Sequence, residues 1–120
     1  MSGPALDRPA PALRLGAGVL LKHAVNTAHL SDAPSKRMCT SNYKRDNCPQ
    51  CGLLFSARNG KVGAHVIIIE RERELWIVPL CADCNSEAKN VNQTGGRNTN
   101  APFHLRTPVL AIRSLESPFI

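Results

Sequence analysis

The sequence has few aromatic residues and no apolar run long enough to cross a membrane. Only five of its 120 residues are aromatic, so the apolar core that it can build is small. The apolar residues 15–21 are followed directly by Lys22 and His23, which does not fit a membrane helix or a secretory signal. We therefore expect a cytoplasmic protein with no membrane partner.

The sequence also lacks internal repeats, a glycine-rich phosphate-binding motif and a Ser-His-Asp set. These absences exclude a repeat architecture and leave nucleotide hydrolysis and serine-based hydrolysis without support. A small core commonly needs a disulfide or a metal ion to stabilise it. The cysteines are therefore the most informative residues of this chain.

Four of the five cysteines form two Cys-x-x-Cys pairs, Cys48 with Cys51 and Cys81 with Cys84. This spacing lets two thiolates point to the same side of a tight turn, and two such turns complete a tetrahedral four-sulfur shell around zinc. A closed shell predicts a structural zinc ion and not a catalytic one. The alternatives are two disulfides or a redox pair. Cys39 is predicted to be a free thiol or a small core residue without a metal role.

The first half of the chain predicts a tail, a helix and a basic connector. Residues 1–14 are rich in proline and alanine, which predicts a disordered amino-terminal tail. Apolar residues at helical spacing predict a short amphipathic helix over 15–30 that ends at 31–34. Together with the basic connector that follows, this helix forms the predicted segment 15–47.

Residues 48–89 predict a zinc knuckle, a β-hairpin and a helix. Apolar runs at 62–70 and 75–79 are typical of two antiparallel strands, and Gly52 gives the knuckle the backbone freedom that it needs. Cys81 and Cys84 then lie in the first turn of the helix. This order predicts an α+β fold, a small zinc-stabilised treble clef. Residues 90–120 predict a loop rich in asparagine and glycine, followed by a carboxy-terminal edge strand.

The segment 48–89 resembles the HNH or His-Me finger family, in particular a small phage or bacterial HNH-like subgroup. Its Gly-Ala-His-Val strand contains His65, and residues 78–85 match the Leu-Cys-x-x-Cys-His signature except at Asn85. The resemblance implies that His65 is the general base of a nuclease, with Mg²⁺ or Mn²⁺ as a second metal. Asn85 is the other candidate catalytic residue.

Three of the four functional positions of that family differ in this chain. Ala64 stands where an acidic ligand is usual, Trp76 where an asparagine is usual, and Asn85 where the terminal histidine is usual. A catalytic reading therefore needs a carboxylate from an unexpected position. Three residues could supply it: Glu70, Asp83 and Glu87.

A structural reading of the histidines stays open beside the catalytic one. His65 could be a strand histidine held by a hydrogen bond beneath a helix. His23 and His29 are expected at the surface or at an interface, on separate helix faces, where they would not share a metal. Trp76 is expected in the core, because its neighbours are apolar.

The chain is basic, with a formal charge of +6 at pH 7, which four zinc-bound thiolates would lower to about +4. Basic residues cluster on both sides of the first cysteine pair, which favours contact with phosphates. The alternative is an ordinary solvated surface. The candidate nucleic-acid contacts are Lys36, Arg37, Lys44, Arg45, Arg58, Lys61 and Arg97.

Three functions follow as hypotheses. The favoured one is a noncatalytic zinc module that binds DNA or RNA, or a protein bound to nucleic acid. The second is a metal-dependent HNH-like endonuclease that uses His65. The third is a phage or mobile-element inhibitor that binds a host nucleic-acid enzyme through residues 90–100 or its apolar ends. The sequence leaves the oligomeric state open.

Overall fold

The computed structural model describes residues 11–25, 27–86 and 101–116. The described backbone contains six strands, two α-helices and one short 3₁₀ helix (Ile69–Arg71), which confirms the α+β class. In chain order they are β1 (Ala12–Leu15), β2 (Leu20–His23), α1 (Ala33–Asn42), β3 (Lys61–Ile68), β4 (Trp76–Cys81), α2 (residues 82–86), β5 (Phe103–His104) and β6 (Val109–Arg113).

The six strands form one antiparallel sheet in the order β1-β6-β4-β3-β2-β5. Its centre is the β3–β4 hairpin, in which Lys61 lies opposite Cys81 and Val66 opposite Trp76. The predicted hairpin is thus confirmed. Strand β4 continues past Pro79, where the sequence pattern had predicted its end.

The two faces of the sheet have different roles. Along β3, Ala64, Val66 and Ile68 alternate into the main core. The opposite face packs against α1, and Ile77 and Ile112 form a smaller apolar cluster there. His65 lies on this second face, between two residues of the main core. The alternation of β3 therefore presents His65 to the start of α1.

Helix α1 approaches β3 closely at Gly63. A Cβ atom at this position would lie 2.7 Å from Cγ of Lys36, closer than two carbon atoms can pack. The missing side chain lets the helix lie directly on the strand. Gly63 thereby determines the distance between α1 and the residue two positions later on the same face, His65.

The predicted helix over residues 15–30 is wrong, because Leu15 ends β1, Leu20–His23 forms β2, and none of the described residues in this range is helical. Gly18 has a φ of 91°, which a helix does not allow, and it turns the chain between the two strands. Leu21 and His23 both point inward from β2 with the period of a strand. His23 is consequently only 8 % exposed, which corrects its predicted surface position.

Residues 31–34 begin a helix, although their sequence had predicted the end of one. Asp32 is the residue before α1, and Pro34 stands in the first turn, where its missing N–H group costs nothing. The predicted tail 1–14 is wrong at its last three residues, which belong to β1. Residues 1–10 lie outside the described part of the chain.

The carboxy-terminal strand is not an edge strand. Strand β6 lies between β1 and β4, and the edges of the described sheet are β1 and β5. The predicted loop 90–100, including Arg97, lies outside the described residues. No helix among the described residues has the length and apolar character needed to cross a bilayer.

Candidate metal centre and histidine pocket

The four predicted cysteines converge on one point of the fold. Their ligand atoms all lie within 4.8 Å of one another, with 3.9 Å between the sulfurs of Cys48 and Cys84 and 3.8 Å between those of Cys51 and Cys81. Sulfurs that share a tetrahedral metal at about 2.3 Å are separated by about 3.8 Å. The cluster could therefore hold a metal ion.

Two pieces of backbone hold these sulfurs in place. The Cys48–Cys51 turn closes through a bond of 2.9 Å from the Gly52 N–H to the Cys48 carbonyl, and Gly52 has a φ of 80° that favours glycine. Cys81 is the last residue of β4, and Cys84 lies in α2. The knuckle is thus joined to the end of the central hairpin.

Hydrogen bonds around Cys48 stabilise the deprotonated, thiolate form of its side chain. The hydrogen bond between the sulfurs of Cys48 and Cys84 lowers the pKa of Cys48 to about 4, and backbone N–H groups, including those of Gln50 and Cys81 at 3.3 Å, act in the same direction. The bond to Cys48 and burial raise the pKa of Cys84. In the metal-free cluster the negative charge therefore lies on Cys48, and Cys84 keeps its proton.

Cys39 is separate from this cluster, as predicted. It lies on the buried face of α1 against Ile77 and Ile112, and burial raises the pKa of its thiol to about 12. All five cysteines are free thiols. The described structure therefore contains no disulfide at either Cys-x-x-Cys pair.

A second group of polar residues surrounds His65. Its Nε2 lies 2.9 Å from Oδ2 of Asp32, which is 2 % exposed. A carboxylate only accepts hydrogen bonds, so Nε2 is the donor. Burial lowers the pKa of His65, so the ring is neutral at pH 7 and Nδ1 carries a lone pair. The structural reading of His65, a strand histidine bonded beneath a helix, matches this geometry.

Asp32 also joins the start of α1 to the segment after β6. Its carboxylate accepts hydrogen bonds from the Ser114 hydroxyl at 2.7 Å and from the N–H groups of Leu115 and Glu116. In return, the Glu116 carboxylate accepts the N–H groups of Ser31 and Asp32 at 3.0 and 2.7 Å. We call this reciprocal set the Asp32–Glu116 clasp.

The clasp keeps Asp32 ionised although it is buried. Burial alone would raise the pKa of Asp32, but the hydrogen bonds from His65, Ser114 and Leu115 lower it below its usual value. Glu116 adds a negative charge at the amino-terminal end of α1, where the helix dipole favours one. Sequence reasoning missed Asp32 because residues 31–34 were interpreted as a helix end.

His65 lines a small, mainly polar pocket of about 110 Å³. His23, Lys36 and Asn85 line the same pocket, so the structure brings the two predicted catalytic residues to one cavity. The Nε2 atom of His23 is 2.9 Å from Oε1 of Gln50, a residue of the cysteine turn. The pocket and the metal centre are thus neighbours.

The acidic residues proposed from sequence do not line this pocket. Glu70 lies at the far end of the β3–β4 hairpin, and Asp83 is exposed beside the cysteines. Glu87 lies outside the described residues. Ala64 and Trp76 are buried in the core, and the indole N–H of Trp76 donates to Glu74 at 3.0 Å. Asp32 is the carboxylate that approaches His65.

The two predicted groups of basic residues meet at the end of α1. Lys61, at the start of β3, donates to the carbonyl of Tyr43 at 2.8 Å and lies 5.9 Å from the centre of its ring. Lys44 and Arg45 follow Tyr43 directly and are exposed. Arg37 on α1 and Arg58 before β3 are also exposed, whereas Lys36 is partly covered by its packing on Gly63.

The chain matches none of the family models, curated proteins or solved structures with which it was compared. The HNH resemblance therefore stays a prediction that depends on the residues alone.

We expect Asp32→Asn to lower the free energy of unfolding by about 2 kcal/mol, because either orientation of the amide turns an NH₂ group toward two hydrogen-bond donors. Asparagine tolerates the φ of 47° at this position, so backbone strain changes little. Urea denaturation measures the effect. Asp46→Asn, at an exposed position, is the control and should change stability by less than about 0.5 kcal/mol. Equal stability of both variants would contradict the structural role of the clasp.

Proposed function

We propose that this chain is a zinc-stabilised module of HNH-like, treble-clef type that binds nucleic acid without cleaving it. Tetrahedral four-sulfur sites select zinc or iron, and zinc is the usual ion for two Cys-x-x-Cys turns. All four sulfurs would be metal ligands, so no position stays open for a substrate. The metal has a structural role in this proposal.

The observation that carries the nucleic-acid proposal is a group of cations without acidic partners. We call Lys36, Arg37, Lys44, Arg45, Arg58 and Lys61 the basic face. Among the described residues, the ion pairs involve Lys22, His65, Arg71 and Arg113, and none involves the basic face. Unpaired cations of this density attract polyanions and gain from the release of counterions.

The distribution of acidic residues supports the same proposal. The turn of the β3–β4 hairpin carries Glu70, Glu72 and Glu74. The basic face includes Lys61, which lies at the other end of β3. The eight residues of β3 separate these ends by about 25 Å. Two further carboxylates, Asp32 and Glu116, are engaged in the clasp. Two exposed carboxylates lie closer to the basic face, because Asp46 follows Arg45 and the Asp83 N–H donates to Asn59, the residue after Arg58. The six basic residues outnumber these two carboxylates.

The metal part of this proposal predicts one zinc ion per chain. Cys51→Ala should lose the metal and unfold at much lower temperature, because structural zinc contributes on the order of 10 kcal/mol to folding. Cys39→Ala is the matched control, since Cys39 is buried but lies outside the cluster, and it should keep the metal. Elemental analysis and the spectrum of the cobalt-substituted protein test both. Full metal content in Cys51→Ala would contradict the four-sulfur site.

The binding part predicts affinity for DNA or RNA that falls steeply with salt. Replacing Arg37, Arg45 and Arg58 by glutamine should weaken binding and reduce the slope of log K against log salt by about one for each lost phosphate contact. Arg73→Gln, an exposed arginine at the hairpin turn, is the control. Fluorescence anisotropy with labelled duplex, single-stranded DNA and RNA measures both quantities. Absence of salt-sensitive affinity for all three probes would reject the nucleic-acid proposal.

A second candidate function is metal-dependent cleavage of phosphodiester bonds. One observation favours it: Asp32 holds the neutral His65 in a pocket that Asn85 also lines. Such an imidazole suits a general base, because its Nδ1 can accept a proton from water. Asp32 would orient the ring without touching the substrate. Lys36 and His23 would lie beside the phosphate. Mg²⁺ or Mn²⁺ would neutralise charge on the phosphate. This chain has Ala64 where the family usually has an acidic residue that helps to bind that metal.

Plasmid nicking in Mg²⁺ or Mn²⁺ separates the two functions. Cleavage should be lost in His65→Gln and retained in His29→Gln, an exposed histidine. Because the Asp32 carboxylate raises the pKa of His65, Asp32→Asn should move the acid limb of the rate profile to lower pH. Equal nicking by wild type and His65→Gln would indicate a contaminating nuclease. Binding without nicking supports the noncatalytic module.

A further inference from the structure

The four cysteines of the cluster differ in how far the fold covers them. Cys51 is partly exposed. The other three are buried, with exposed fractions of 0, 1 and 6 % for Cys48, Cys81 and Cys84. Oxidation of a cysteine depends on its exposure as well as on its thiolate character. Cys51 is therefore the residue of the cluster that a reagent in the solvent meets first.

A surface depression borders the same side of the cluster. Its volume is about 440 Å³, and its lining includes Cys51, Cys81 and Cys84 but not Cys48. A water molecule occupies about 30 Å³ in the liquid, so a reagent only slightly larger than water fits easily. The depression therefore gives a small molecule access to three of the four cysteines.

The charges around the depression favour a neutral reagent. Arg106 and Asp83 both line it, are both exposed, and have opposite charges. Arg106 is held there by two hydrogen bonds, from its N–H to the Pro49 carbonyl at 2.7 Å and from its Nε to the Gln50 carbonyl at 2.9 Å. A lining with both signs of charge selects neither an anion nor a cation. Hydrogen peroxide, which is small and uncharged, meets both conditions.

Cys81 is placed to react after Cys51. Its Sγ lies 3.8 Å from that of Cys51, and both residues line the depression. A short movement of the two side chains brings these sulfurs to bonding distance. A bond between them would join the knuckle to the end of β4, the same two elements that the proposed metal joins. This bond would keep the two elements connected while it removes two of the four metal ligands.

We infer that Cys51, reached through this depression, is a peroxide-sensitive modification site whose oxidation forms a disulfide with Cys81 and releases the zinc ion. This inference rests on the four-sulfur zinc site proposed above and adds its regulation. The Cys51 sulfur attacks one oxygen of hydrogen peroxide, the O–O bond breaks, and a sulfenic acid and a hydroxide ion form. The Cys81 thiolate then attacks the Cys51 sulfur, the S–O bond breaks, and a second hydroxide ion leaves.

The two steps balance without a further reagent. The two sulfurs lose two electrons, the peroxide gains them, and the two hydroxide ions take up two protons from the solvent to become water. Metal coordination keeps both sulfurs deprotonated, so no base is needed. The two sulfurs that remain, those of Cys48 and Cys84, do not complete a tetrahedral shell, so the ion is lost.

The test treats the zinc-loaded protein with hydrogen peroxide and follows zinc release with a chromogenic chelator. After alkylation of the free thiols, peptide fragmentation in the mass spectrometer identifies the disulfide. One zinc ion should leave for each disulfide formed, and the disulfide should join Cys51 to Cys81, with Cys48 and Cys84 alkylated. Dithiothreitol with added zinc should restore the metal, because a disulfide is reversible and a sulfinic acid is not. Cys39→Ser, which removes the buried fifth thiol, should behave as wild type.

A variant that keeps all four sulfurs tests the access route. Leu53 lines the depression, whereas its exposed neighbour Leu54 does not. Leu53→Trp should cover part of the depression and slow zinc release several-fold, and Leu54→Trp should leave the rate unchanged. Circular dichroism and the zinc content before treatment confirm that each variant is folded.

Other outcomes overturn the inference in distinguishable ways. Zinc release without a disulfide, a disulfide between any other two cysteines, or retention of zinc at peroxide concentrations that oxidise free cysteine would reject it and leave the zinc module intact. Equal release rates in Leu53→Trp and Leu54→Trp would reject access through the depression. A purified protein that contains no zinc before treatment would reject the metal part of the proposed function itself.

Discussion

The convergence of four sulfur atoms is the constraint on which the rest of this structure depends. It joins the turn 48–55 to the end of β4 and the start of α2. Cys48, Cys81 and Cys84 are also members of the main apolar core. A protein with so few aromatic residues thus completes its core with sulfur, and the charge on that sulfur makes a bound cation the natural complement.

The Asp32–Glu116 clasp is a second long-range tie, of a different physical kind. Two carboxylates accept hydrogen bonds from backbone N–H groups at the start of α1 and after β6. The Glu116 carboxylate accepts those at the start of α1, and the Asp32 carboxylate accepts those after β6. A buried carboxylate is costly unless its oxygens are fully bonded. Asp32 meets this condition with four donors, so it can remain ionised and can hold His65 in one tautomer.

Local spacing was sufficient to predict the cysteine cluster, the β3–β4 hairpin and the burial of Trp76. Each of these depends on residues close in the sequence or on a known ligand spacing. The clasp could not be predicted in this way, because Asp32 and its partners are 82 to 84 positions apart. Strand β2 was missed because a four-residue apolar run fits a helical period as well as a strand period, and β1 was missed because the proline and alanine around it predicted a tail. Only pairing with β6 and β3 decides between them.

The metal centre and the histidine pocket are physically coupled through Gln50. This residue belongs to the Cys48–Cys51 turn, yet its side chain contacts His23 in the pocket, and its carbonyl accepts a hydrogen bond from Arg106. One turn therefore positions both a residue of the histidine pocket and the exposed Arg106. If the sulfurs separated, the backbone of Gln50 would lose its restraint, and both His23 and Arg106 would lose a partner. A metal ion held by the four cysteines would in this way restrain the residue that contacts His23 in the pocket.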